Sequence, residues 1–298
     1  MKISSRVYYY LCKYVPWVFH ALTDEQYLKM VYRIKVGKKL DLDNPIRYNE
    51  KLQWLKLNYK MPVQTQMVDK YLVRDFVKER IGEQCLVPLL GVWDSPDLID
   101  FGALPNQFVI KCNHDSQGVF ICKNKDSFDF EMVKSKLSSC LKKNFYFLNK
   151  EWPYKNVQRK IIAEQYLEDE SGELRDYKVL CFNGEPKLIE VHSGRFAGKH
   201  TQDFYDVDWN LMNIYQDRCG LPNSNNDYPK PLVLDDMLEY SRKLSKGFPH
   251  LRVDWYVVNN KLYFGELTFF DASGFDDFEP DEWNEIIGSW IMLPNTKI

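Results

Sequence analysis

Apolar positions in the first eighty residues recur at three- and four-residue intervals. Over 66–80, Met67, Val68, Tyr71, Leu72 and Phe76 fall on one face and predict a helix, with Gly82 just past its end. Residues 1 to about 60 read as helical and aromatic, with Asn49 placed to cap a helix carrying Leu52, Leu55 and Leu57. Beyond Leu86 the pattern turns to short β-rich runs bounded by Pro, Gly, Asn and Asp. Phe108–Cys112 and Val119–Cys122 predict strands around a polar loop at 113–118, and 161–167 and 177–182 predict two more. A helix is expected over 131–143. Asn183-Gly184 predicts a hairpin turn into 186–191, and Asn259-Asn260 a second hairpin joining 251–258 to 262–270. Met237, Tyr240, Ser241 and Leu244 mark a helix that stops at Gly247. Hairpin-linked strands among helices predict an α+β fold with antiparallel sheets.

Composition narrows the class. With 298 residues, 45% of them apolar and 15% aromatic, the chain can bury one large domain or two packed subdomains. Forty basic and 42 acidic residues nearly cancel, which argues against general nucleic-acid binding and makes any cationic site local. Seven cysteines, an odd number without a CxxC pair, argue for reduced thiols in a cytoplasmic protein rather than disulfides or a thiolate zinc site. The aromatic stretch 8–22 is interrupted by Lys13, Pro16 and His20 and is too short to span a bilayer. It is read either as a helix packed on the body or as one lying on the inner face of the membrane, with Arg6 and Lys13 among the headgroups.

Three constellations carry candidate chemistry. Lys111 ends a strand and is followed by a polar loop containing His114, Ser116 and Gly118, whose backbone N–H groups can surround phosphate oxygens; no Walker pattern is present. Lys70, Arg74 and Lys78 form a basic stripe at i, i+4 and i+8, a pattern that also fits a plain solvated face. Asp254 and Glu266 lie on the two arms of the last hairpin, where paired carboxylates suit Mg²⁺. Parity tests that pairing. With a plain two-residue turn at Asn259-Asn260, Asp254 opposes Gly265 and Glu266 points to the other face, so a shared site requires an odd loop or a bulge. Arg252 and Thr268 extend the polar set, and Asp271 and Ser273 follow in a loop. His192 and His200 flank Arg195, but there is no HExxH, no GxSxG and no tight histidine cluster along the sequence.

Together these segments resemble the TupA-like branch of the ATP-grasp superfamily, named for teichuronopeptide biosynthesis. The resemblance rests on Asn44-Pro-Ile-Arg-Tyr-Asn-Glu-Lys-Leu-Gln-Trp54, Asp69-Lys70-Tyr71 with Arg74, and Phe108-Val-Ile-Lys-Cys-Asn-His114. It extends through Ala163-Glu-Gln-Tyr-Leu167, Asp176-Tyr-Lys178 with Cys181-Phe-Asn-Gly184, Phe204-Tyr-Asp206 with Trp209, and Asp254 with Glu266 to Thr268. It runs from about residue 44 to 275, and their common order makes it specific. Asp115 and Gln117 leave the loop less glycine-rich than usual, and Thr268 stands where many relatives have Asn.

The resemblance implies a helical N-terminal region, 1–62, followed by an ATP-grasp domain, 63–298, in two α+β subdomains divided near 160 and clasping ATP. It implies a ligase that activates a carboxylate as an acyl phosphate for attack by an amine, with ATP and Mg²⁺ as cofactors. Lys70 and Lys111 would contact phosphates under the 113–118 loop, with His114, Ser116 and Gly118. Glu164, Gln165 and Leu167 would meet adenine. Asp254, Glu266 and Thr268 would hold Mg²⁺, Lys178 and Arg195 would grip the acceptor carboxylate or the tetrahedral intermediate, and Arg252 would join them as a catalytic residue. The expected partners are a sugar acid and an amino acid or small amine of surface-polysaccharide synthesis, and no nucleic acid. A glycosyl or phosphoryl transferase of the same pathway, and a membrane-surface adaptor without activity, are the alternatives.

Overall fold

The computed structural model describes residues 21–115, 118–169, 174–194, 198–216, 220–224 and 226–295. The stretch 8–22 lies almost wholly outside them. No helix among the described residues is long and apolar enough to cross a membrane.

The first helix, α1 (Asp24–Lys35), starts from a Thr23–Gln26 capping box. Helix α2 (Tyr48–Asn58) begins one residue before Asn49, so Asn49 is not its cap. Asn49 is instead buried in the first turn, accepting from Tyr32 Oη at 2.7 Å and donating to Asp277 at 2.6 Å. The helix expected over 66–80 is two: α3 (Val63–Val68) and α4 (Val73–Ile81). Asp69 breaks it. Its Oδ1 accepts from the backbone N–H of Tyr71 at 2.8 Å and of Leu72 at 3.2 Å, a local side-chain bond that competes with the helical ladder. Gly82, at φ +88°, follows α4.

Two antiparallel sheets form the body. The smaller has the order β1-β4-β2-β3, from Leu89–Trp93, Ile161–Gln165, Phe108–Cys112 and Val119–Cys122. Alternation in β2 sends Phe108, Ile110 and Cys112 into a core shared with Val133, Leu137 and Cys140 of α5 (Phe130–Leu141). Val109 and Lys111 face the other way, opposite Ile121 and Val119 of β3. The expected second part of the chain thus opens with a strand, β4, that is hydrogen-bonded into this first sheet. A short helix, α6 (Tyr146–Asn149), precedes β4.

The larger sheet has the order β11-β10-β5-β6-β7-β8, from Lys261–Thr268, His250–Val258, Asp176–Phe182, Glu185–Ser193, Thr201–Tyr205 and Leu211–Met212. Both hairpin turns form as expected, with Asn183 and Gly184, and Asn259 and Asn260, all at positive φ. Val179, Leu180, Leu251, Val253 and Trp255 enter the main core with Met237 and Leu244 of α7 (Leu234–Ser245). Strand β9 (Tyr215–Gln216) pairs with β12 (Phe278–Glu279), and α8 (Trp283–Ser289) packs on α2.

Candidate active site

One face of the larger sheet is unusually polar. Cross-strand partners share a face. Asp254 pairs with Lys178, and Lys178 with Glu190, forming one row; Tyr256 pairs with Asp176, Asp176 with His192, and His192 with Gln202, forming the next. These side chains are buried or nearly so. A buried charge is tolerable when it is paired. Lys178 Nζ lies 2.6 Å from Asp254 Oδ2 and 3.0 Å from Asp176 Oδ2. Burial and Arg252 lower the Lys178 pKa, but Asp176 and Asp254 outweigh them and hold it above the ordinary range.

The β10–β11 hairpin settles the parity question. Its turn has two residues, Val258 pairing with Lys261, and Trp255 pairs with Phe264 as a plain register requires. The register then shifts, so that Val253 faces Leu267 and Arg252 faces Thr268. A bulge at Gly265-Glu266, opposite Asp254, thereby returns Glu266 to the face of Arg252 and Asp254. Gly265 permits it: a Cβ there would stand 3.1 Å from the Asp254 carbonyl oxygen and 3.3 Å from its Cβ.

Arg252 binds these groups together from behind. Its Nε donates to Asp254 Oδ1 at 2.7 Å, and Nη2 to Asp254 Oδ2 at 2.8 Å, with longer bonds to Glu266 and Thr268. Nη1 donates to Asp271. Asp271 accepts in turn from Gln216 at 3.0 Å, Gln216 from Gln202 at 2.8 Å, and Gln202 donates also to Glu190 at 2.6 Å. Glu190 meets His192 Nε2, and His192 Nδ1 lies 2.8 Å from His200 Nε2. His192 and His200, eight residues apart in the sequence, thus stand side by side. Burial tends to raise the Glu190 pKa, but His192, Arg252 and Lys178 bring it down to about 2.

Between this face and the smaller sheet lies a cavity of about 520 Å³. Val87, Val109, Val119, Ile121 and Leu167 line one end, and Asp176, Lys178, His192 and Asp254 the other. Lys70 reaches it from the break between α3 and α4, where its N–H donates to the Asn113 carbonyl at 2.9 Å. Lys70 Nζ is 2.8 Å from Glu266, and Lys111 Nζ is 2.6 Å from Glu164, which also meets Arg74 at 3.3 Å. Lys78, the third member of the supposed basic stripe, is exposed and pairs with Glu83.

Of the residues singled out in the sequence, Lys70, Lys111, Glu164, Gln165, Leu167, Lys178, Asp254 and Glu266 line this cavity. Arg252 and Thr268 stand behind its wall. His114 does not line it: burial and Arg159 lower its pKa, and its ring packs edge-on against Phe145 beside Asn113. Gly118 does not line it either. A Cβ at that position would meet Asp115 Oδ2 at 2.8 Å and Cys140 Sγ at 3.1 Å, so glycine serves close packing there. Ser116 and Arg195 lie outside the described residues. Glu190 and Gln202 escaped the sequence reading, and Asp176 and His192 were named there without a role, although the alternation of polar residues along β5 and β6 was the available signal.

Among the described residues no three His, Cys, Asp or Glu side chains form a metal cage. Asp254 and Glu266 are nonetheless hard oxygen donors on one face of one hairpin, the number Mg²⁺ needs when phosphates supply the rest. The described lining also holds seven carboxylates against four lysines. A triphosphate added to that balance calls for a divalent cation, so the residues present fit Mg²⁺ and a nucleotide together.

The family described as TupA-like ATPgrasp matches residues 50–292. No curated protein matches the chain. Solved structures of similar fold include D-alanine–D-alanine ligase from Bacillus anthracis complexed with ATP, at 15% identity and TM-score 0.39, covering 68% of this chain and 53% of that one. L-amino acid ligase from Bacillus licheniformis is 10% identical with TM-score 0.46, covering 86% and 55%. N5-carboxyaminoimidazole synthetase from Staphylococcus aureus complexed with ADP is 14% identical with TM-score 0.39, covering 93% and 60%. The chain thus spans little more than half the length of these structures.

Proposed function

Because the chain belongs to the TupA-like ATP-grasp family, we propose that it is an ATP-dependent ligase joining a carboxylate to an amine. The observation that carries this reading is the meeting of Lys70, Lys111, Lys178, Asp254 and Glu266 in one cavity that has an apolar end. Lys70 and Lys111 bind the phosphates, and the Glu164–Leu167 segment with Val109 and Ile121 receives the base. Asp254 and Glu266 hold Mg²⁺, and Thr268 orients Glu266 through its hydroxyl, 3.4 Å from Oε1. When bound, Mg-ATP supplies the phosphoryl group that turns a poor carboxylate electrophile into one with a leaving group.

The chain's own residues do the rest by charge and position. Lys178, held protonated between Asp176 and Asp254, and Arg195 orient the acceptor carboxylate. Arg252 touches no part of the cavity and acts by fixing Asp254 and Glu266. The acceptor is a sugar acid and the amine an amino acid or small amine of surface-polysaccharide synthesis, at the cytoplasmic face of the membrane; family analogy supports this last step.

Phosphate release from ATP and Mg²⁺ should require both partners when uronic acids are screened against amino acids and small amines. ATP consumption indifferent to the amine would replace ligation by phosphoryl transfer. Consumption of a nucleotide sugar in place of ATP would replace it by glycosyl transfer.

A further inference from the structure

Lys70 and Lys111 both face the cavity, and each ends on a carboxylate that also lines it. The two pairs are not equivalent. Glu164 has a second cation in Arg74, whose carboxylate partner it is. Among the described residues, Glu266 has besides Lys70 the share of Arg252 left after that guanidinium has served Asp254 twice and Asp271 once, a bond 3.3 Å long, and the unbonded charge of Lys178. Lys70 is therefore the principal counter-charge of Glu266.

We propose that Glu266 is a specificity residue that makes this cavity select metal-loaded over metal-free nucleotide, by holding Lys70 until a divalent cation takes its place. The inference rests on the nucleotide reading above. A phosphate that draws Lys70 away without a metal leaves the Glu266 carboxylate facing a polyanion in a largely buried site. A divalent cation that binds Glu266 without a phosphate leaves the Lys70 ammonium unpaired. Arriving together, they exchange partners and leave every charge matched, so each strengthens the other by the same factor. Lys111 imposes no such condition, because Glu164 keeps Arg74 when Lys111 turns to a phosphate.

Calorimetric titration with adenosine 5′-(β,γ-imido)triphosphate, in EDTA and in excess MgCl₂, tests this. In the parent, magnesium should tighten binding on the order of tenfold or more, within the usual range of site-to-site coupling. In Glu266→Gln, binding in EDTA should become tighter than in the parent, because Lys70 is released, and the magnesium enhancement should shrink to about twofold or less. Lys70→Gln should show the reciprocal: Mn²⁺ alone, followed by its electron paramagnetic resonance signal, binds more tightly than to the parent, while the nucleotide binds less. Damage to the fold cannot tighten a ligand, so these gains separate the exchange from a structural defect. A parent that binds with the full magnesium enhancement kept in Glu266→Gln, or a variant weaker than the parent in EDTA, overturns the inference and leaves the ligase reading standing. A parent that binds no nucleotide in either buffer overturns both.

Discussion

His250 holds a charge-free position at the buried end of β10. Its Nδ1 lies 3.0 Å from the Cys181 carbonyl oxygen, which can only accept, so Nδ1 carries the proton. Nε2 then accepts from the Tyr48 hydroxyl at 3.0 Å, joining α2 to the larger sheet. Burial, aided by Arg252, drives the pKa of this imidazole down to about 3. The unfolded chain takes up a proton near the ordinary value of about 6.5. Between these values the unfolded state binds more protons than the native one, so this contribution is complete above the upper value and is lost as pH falls toward the lower. Urea unfolding of the parent should lose about 1.4 kcal/mol per pH unit from this group alone below pH ~6. His250→Gln should lack that part of the slope whatever its absolute stability. Parallel profiles for parent and variant would show that the ring is charged in the native protein.

At the scale of elements, the bulge in β11 decides whether two carboxylates can serve one ion. A side chain at Gly265 would press on the Asp254 backbone, 3.1 Å away, and push the two strands apart where the carboxylates meet. Gly265→Val should cost about 1–3 kcal/mol of stability, as overpacking does. It should also lower the magnesium-dependent part of nucleotide affinity several-fold more than the metal-independent part, read by calorimetry in MgCl₂ and in EDTA. Equal losses in the two buffers would mean that the bulge does not set the carboxylate spacing. The requirement for an irregularity was legible from parity once Asp254 and Glu266 were taken to share one metal, and both Asn-bearing turns were legible from their dipeptides. Other elements were not. The break at Asp69 hides inside an unbroken helical period, because a bond between one side chain and two backbone N–H groups leaves no trace in the hydrophobic pattern. Helix α2 buries polar Asn49, Gln53 and Lys56 at i, i+4 and i+7. Such a stripe reads as solvated, yet Gln53 and Lys56 donate to the Ser273 carbonyl at 3.1 and 2.8 Å and fix the segment that carries Asp271. The Glu190, His192 and Gln202 positions depend on the register of β5, β6 and β7, which no local window contains.

For the molecule as a whole, the cavity lies between two sheets with separate cores, one gathered under α5 and the other under α7. Lys70 bonds to both sides: its N–H donates to the Asn113 carbonyl, just past β2, at 2.9 Å, and its Nζ lies 2.8 Å from Glu266. The wall on the smaller sheet contributes Lys111 and Glu164, and the wall on the larger contributes Asp254, Glu266 and Lys178. A ligand that needs both sets gains affinity only while both sheets are folded and apposed, so its binding free energy adds to the stability of the whole. At a hundredfold excess over its dissociation constant it should add about 2.7 kcal/mol. For a chain of this size that corresponds to a rise in Tm of roughly 5 °C. Differential scanning fluorimetry with the imido analogue and MgCl₂ should show that rise in a single transition, and Lys111→Ala, which removes a cation from the smaller sheet's wall alone, should abolish most of it. If the ligand instead splits the melt in two, stabilising one step and leaving the other in place, it engages one wall only. The cavity between the sheets would then not be the nucleotide site.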